Sequence, residues 1–207
     1  ESALSAAVGS FKLLGHDPHL RNFIITRTLL VSTALVAPFY VLLAQTHSGQ
    51  GASANFSLGL LLLASGAANA GSAAVWGRMA DRSSRRVLML AGLLGALVSA
   101  ITALLHCVPI PAFGLGFAYA ASYFLLSVAH SGVRLGRKTY LVDLANSDNR
   151  AAYVALSNTL IGLLLLIGGA FISLLSHYAG PAGAVIVLAI TALGGGLYAL
   201  RLPAVEA

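Results

Sequence analysis

Acidic side chains are scarce in this sequence: Asp and Glu number 6 in 207 residues, and charged residues of both signs make up only 9%. Soluble domains carry about 25%, so an ordinary soluble fold is excluded. Cysteine is reduced to Cys107 alone, which rules out an internal disulfide and a cysteine-built metal site. The 6 histidines are scattered without ligand spacing, so neither a metal nor a cofactor is expected. The opening stretch, ESALSAAVGSFKLLGHDPHL, lacks the charged n-region, short apolar run and cleavage site of a secretory leader. The chain also starts at Glu1 without an initiator Met, and a fragment of a longer protein is expected.

What fills the sequence is apolar: 58% of the residues are hydrophobic. A hydrocarbon core of about 30 Å needs about 20 apolar residues per helical span. Six stretches qualify, at 23–45, 56–76, 87–107, 112–133, 151–176 and 182–200. Strands of a membrane barrel alternate apolar and polar residues, whereas LGLLLLASGAANAG and AVIVLAITALGGG are apolar throughout. A helix satisfies its own backbone in lipid, so the expected fold is an all-α membrane protein with six transmembrane helices. Residues 1–22 read as a cytoplasmic linker and approach segment, 23–202 as the bundle and 203–207 as a cytoplasmic tail.

With these spans, all 12 Lys and Arg fall on one side, and the opposite loops, THSGQGASAN, CVPIP and SHYAGP, carry none. Cytoplasmic loops are the ones enriched in Lys and Arg. A multi-pass protein of the plasma membrane with both termini cytoplasmic is therefore expected. The 6 acidic residues lie on the same side, so no carboxylate enters a span. The net charge of +6 is a topology signal whose partner is the lipid bilayer, and no nucleic acid is expected.

The densest charge is GRMADRSSRR, residues 77–86, between the second and third spans. Gly77, Asp81, Arg82, Arg85 and Arg86 in that order resemble the signature loop of the major facilitator superfamily, roughly G-x-x-x-D-R-x-G-R-R, with a departure at Ser84. Glycine lets a backbone approach a neighbour closely, an aspartate can face a helix N-terminus, and arginines bond carbonyl ends or lipid headgroups. Such contacts can break and re-form, which suits a conformational switch; a loop that only fixes orientation is the other reading. The long segment GRKTYLVDLANSDNR, the following AAYVALSNTLIG and the approach KLLGHDPHLRNFIITRTLL also look like the C-terminal half of such a transporter. The resemblance implies one six-helix half of a twelve-helix bundle. Its partner is an N-terminal six-helix half in the same full-length chain, or a second copy.

The resemblance further implies that spans 1, 2, 4 and 5 border a central cavity and that spans 3 and 6 face lipid. Intramembrane polar residues tend to face a bundle interior or a water-filled path. Span 4 carries Tyr119, Ser122, Tyr123, Ser127, His130, Ser131 and Arg134 at helical spacing, and spans 2 and 5 add Asn69 and Asn158. Asn69 and Asn158 can also serve as glue between helices. His130 reads either as a proton carrier or as a neutral, hydrogen-bonded histidine. Pro38 is expected to kink span 1, leaving Phe39 and Tyr40 near the outer half of the cavity. The candidate cavity residues are thus Phe39, Tyr40, Asn69, Tyr119, Tyr123, His130 and Asn158. Glycine runs such as Gly194 to Gly196 serve either rocking or close packing.

An intramembrane protease is not expected: adjacent His130 and Ser131 point about 100° apart on a helix and cannot form a nucleophile and base pair. The expected function is transport of a small solute by alternating access. A six-helix homo-oligomeric channel or a non-transporting membrane scaffold is the alternative.

Overall fold

The computed structural model describes residues 15, 17–48, 52–106, 112–146 and 149–204. Among these every regular element is helical: α1 Pro18–Leu30, α2 Ser32–Leu35, α3 Ala37–Ser48, α4 Ala52–Ala80, α5 Ser84–Leu105, α6 Ala112–Leu144 and α7 Arg150–Tyr198, with a closing 3-10 turn at Ala199–Arg201. Four stretches, Pro18–Thr46, Leu58–Ala80, Ser84–Leu105 and Arg150–Arg201, are long and apolar enough to cross a membrane. The all-α membrane fold is as expected. The six expected spans, however, do not map one to one onto these elements: the first is divided among α1, α2 and α3, and the last two lie on α7.

Local chemistry explains the divided first span. The Ser32 and Thr33 hydroxyls donate to the carbonyls of Leu29 and Leu30, at 2.7 and 2.8 Å, a back-bond that bends helices. Pro38, lacking an N–H, cannot serve the carbonyl four residues before it, and the helix is interrupted nearby at Val36.

In α7 the break is sharper. Gly180 has φ 74° and ψ 167°, a region essentially restricted to glycine, and Pro181 follows it. A straight helix of 49 residues would extend about 70 Å. Instead, Tyr153 donates to the Asp17 carboxylate at 2.5 Å, and Tyr198 donates to the Asn22 side-chain oxygen at 3.2 Å. Asp17 and Asn22 lie at the start of α1, so the two arms of α7 fold back and return to one end of the molecule.

Several segments are stitched together at that end. The Phe23 ring stacks on Tyr140 with centroids 5.3 Å apart, and Tyr140 donates to the Pro203 carbonyl at 3.2 Å. Arg85 donates to the Leu202 carbonyl at 3.1 Å, and the Ser84 hydroxyl donates to Asp143 at 3.3 Å. Because Tyr140 and Leu141 are buried in this collar, the segment expected as a loop after span 4 is instead mostly helix, and α6 continues to Leu144.

Asp17 caps α1, accepting from the backbone N–H groups of His19 at 2.8 Å and Leu20 at 3.2 Å. Burial alone would raise its carboxyl; the Tyr153 hydroxyl, the two backbone donors and the nearby His19 charge outweigh that and hold it below the usual carboxylate range. Asp17→Ala is expected to cost about 1 kcal/mol at neutral pH, read as a lower thermal midpoint in detergent. The benefit of a depressed carboxyl is present above the ordinary carboxylate range and lost as pH falls through the folded value. Wild type and variant should therefore converge in acid.

Helix α5, expected to face lipid, packs one side deeply against its neighbours and turns an apolar stripe outward. More than half of it is buried, the largest share among the four apolar stretches, because glycines admit neighbours to its backbone. A Cβ added at Gly92 would lie 2.9 Å from the Gly196 Cα, and one at Gly196 would lie 2.9 Å from the Leu93 nitrogen. The large apolar side chains exposed on α5 form a stripe of Leu90, Leu97, Ile101 and Leu104. Two apolar clusters complete the interior, one around Phe23, Leu88, Val133 and Tyr140 at the collar, the other around Tyr40, Leu43, Val98 and Tyr119.

Candidate functional site

The described polar residues gather on α1, α2, α4, α6 and the first arm of α7. On α6, Tyr123, Ser127, His130 and Arg134 follow one another at three- and four-residue spacing and so share a face. That face borders three adjoining clefts. A cleft of about 150 Å³ lies between Thr33, Ala34, Ser65, Asn69, Tyr123 and His130. A smaller one of about 40 Å³ lies among Arg27, Ala34, His130, Arg134, Arg137 and Ile161. A third, of about 340 Å³, is lined by Asn69, Trp76, Ser131, Arg134 and Lys138. His130 and Ala34 belong to the first two, Asn69 to the first and third, and Arg134 to the second and third. The three are one branched groove.

Its side chains are fixed by cross-helix hydrogen bonds. His130 Nδ1 is 3.2 Å from the Thr33 hydroxyl. Asn69 donates to the Ser65 carbonyl at 2.8 Å, and its side-chain oxygen accepts from Ser131 at 2.8 Å and Arg134 at 3.3 Å. Asn69 thus ties α4 to α6 while lining the groove. Trp76 Nε1 donates to the Val128 carbonyl at 2.8 Å, and its ring packs where Gly132 leaves room.

Arg27 is the most constrained of these groups. It is only 8% exposed, its two terminal nitrogens donate to the Ser157 hydroxyl and, at 2.9 Å, to the Asn158 side-chain oxygen, and its Nε is buried without a hydrogen-bond partner among the described residues. Sequence reasoning treated Arg27 as a boundary charge and did not propose it as a site residue. The available signal was its setting, FIIT before it and TLLV after it, which places a guanidinium inside an apolar run.

The structure brings Asn69, Tyr123 and His130 together on the groove and sets Asn158 against Arg27. It does not bring Phe39, Tyr40 and Tyr119 there: all three are buried in the far apolar cluster. Tyr40 donates to Ser99 at 3.3 Å, and its ring approaches Tyr123 with centroids 6.0 Å apart.

Within the charged loop, Asp81 and Arg82 are exposed in the turn between α4 and α5, Arg86 is exposed on the first turn of α5, and Ser83 caps that helix, accepting from the Arg86 N–H at 3.4 Å. Arg85 bonds a carbonyl end, as the loop resemblance implies. Gly77 lies within α4, and among the described residues a Cβ there would meet nothing within 4 Å. No close backbone approach among the described residues needs it.

Helices long and apolar enough to cross a membrane, set around a polar groove, define a helical integral membrane protein. A match to the family model described as Major Facilitator Superfamily runs over residues 23–207. The chain belongs to this transporter family. No curated protein matches it, and no solved structure matches it.

Proposed function

We propose that this chain is the C-terminal six-helix half of a secondary transporter that moves a small solute by alternating access, with both termini on the cytoplasmic side of the plasma membrane. The observation that carries this is the groove, whose polar side chains come from the first, second and fourth expected spans. The fold-back at Gly180 supports six crossings, since it returns the last arm of α7 to the end where α1 begins. The opposing wall comes from an N-terminal six-helix half. Rocking of the two bundles exposes a site near the midplane to each side in turn. Asp81, exposed in its turn, is free to dock on the other half in one state only, with Arg82, Arg85 and Arg86 around it. A contact shifts the equilibrium only when it differs between states.

Ser127→Cys, in the full-length protein with Cys107 and all other cysteines replaced by Ser, tests this reading. The introduced thiol should react with impermeant reagents applied from either side, and conditions that raise labelling from one side should lower it from the other. Simultaneous rise on both sides would identify a channel. Labelling from neither side would leave a scaffold.

A further inference from the structure

Among the described residues, positive charge in the groove goes unanswered. The charges acting on Arg27, His130 and Arg137 are those of other arginines: Arg137 on Arg27, Arg134 and Arg137 on His130, and Arg134 on Arg137. The described carboxylates are placed elsewhere. Asp17 caps α1 and receives Tyr153, Asp143 receives Ser84, and Asp81 is exposed in its turn. Arg27 spends its terminal donors on two neutral oxygens and keeps a buried Nε without a partner beside the smallest cleft.

A guanidinium removed from water needs a counter-charge, because neutral acceptors return only part of the lost hydration. Its planar fork matches carboxylate and phosphate oxygens. Arg134 and Arg137 border the same cleft, and Lys138 lines the branch beyond Arg134. Three arginines thus border one small cleft, and Lys138 adds a fourth cation on the adjoining branch.

We propose that the groove takes an anion: the transported solute carries a carboxylate, sulfonate or phosphate group that Arg27 receives, with Arg134 and Arg137 at the approach. This rests on the transport reading and adds the chemical class of the solute. Ser157 and Asn158 hold the guanidinium in place, so they are positioning residues, and a ligand oxygen reaches it from the side of His130 and Ala34. The same chemistry is offered by the headgroup of an anionic lipid, and a carboxylate of the other half would satisfy the arginines with no solute at all.

Ala34→Cys separates these cases, since Ala34 borders both the polar cleft and the arginine cleft. In detergent-purified full-length protein lacking other cysteines, its reaction rates with an anionic sulfonate thiosulfonate and with a cationic trimethylammonium thiosulfonate are compared, each divided by its rate with a free thiol. An unpaired basic cleft concentrates the opposite charge, so the anionic reagent should lead by about tenfold or more. Arg27→Gln and, independently, Arg137→Gln should each lower that ratio several-fold, while Arg27→Lys keeps most of it. A ratio near or below one would show that the other half supplies the counter-charge and would overturn the proposal. A high ratio abolished by added phosphatidylglycerol would assign the site to lipid and overturn it as a solute site. A high ratio that withstands that lipid supports it. The two-sided accessibility of Ser127→Cys is read in parallel: if it stays normal while the charge preference is absent, the anion fails and the transport reading stands.

Discussion

Gly196→Val is expected to leave little folded protein in the membrane, whereas Gly194→Val two residues away is expected to be nearly silent. The difference is set by what a side chain meets. At Gly196 even the first carbon would sit 2.9 Å from the Leu93 nitrogen and 3.1 Å from the Met89 carbonyl oxygen, while at Gly194 it would meet nothing within 4 Å. Backbone atoms cannot rotate away as side chains do, so α5 and the second arm of α7 must move apart. Overpacking in a close-packed interior costs about 1–3 kcal/mol, and a contact with backbone on the far side belongs at the top of that range. The monodisperse fraction in gel filtration and the thermal midpoint should both fall for Gly196→Val. Equal behaviour of the two variants would mean that this crossing is not as close as described.

Gly180→Val should be damaging for a different reason. No atom lies within 4 Å of an added Cβ there, so the cost is entirely in the backbone. Holding a β-branched residue at φ 74° and ψ 167° costs about 1–3 kcal/mol, and the chain can relieve it only by abandoning the reversal. Because Tyr153 and Tyr198 both depend on that reversal to reach the start of α1, the lesion should be felt at the opposite end of the molecule. A cysteine pair replacing Asn22 and Tyr198 should be joined by a short bifunctional thiol reagent in the parent and poorly alongside Gly180→Val. Gly162→Val, in the straight part of the first arm and also without a near neighbour, should leave the cross-link intact. If Gly180→Val also left it intact, the turn would not depend on this glycine.

The helical, membrane-embedded class was legible because it depends on composition and run length alone. The charged ends of the runs were legible too: the collar contains Arg85 and Asp143, which the one-sided distribution had already grouped. Boundaries were less so. A segment such as GRKTYLVDLAN looks like a loop by polarity, yet Tyr140 finds Phe23 and the Pro203 carbonyl, partners distant in sequence, and the helix runs on. For the same reason the depth at which α5 packs was not legible: its glycines signal close packing only once their neighbours are known. Polarity pointed to Asn69, Tyr123 and His130, which line one cleft beside other polar groups. It pointed equally to Tyr40 and Tyr119, whose rings lie in an apolar cluster away from that cleft. It also undervalued Arg27, because counting a cation as an inside marker says nothing about whether it is paired.

The collar has a consequence for how such a unit is assembled in a gene. Asp17 receives Tyr153, Tyr198 reaches Asn22, and the Pro203 carbonyl receives Tyr140 beside Phe23, so the two limits of the bundle emerge side by side from one face. A second unit of the same kind can therefore be attached through a short tether at either limit, and no part of the tether has to traverse lipid. In the two-half arrangement proposed above, the collar therefore leaves either order of the units along the polypeptide open. A gene in which they are transposed should still encode a working pair.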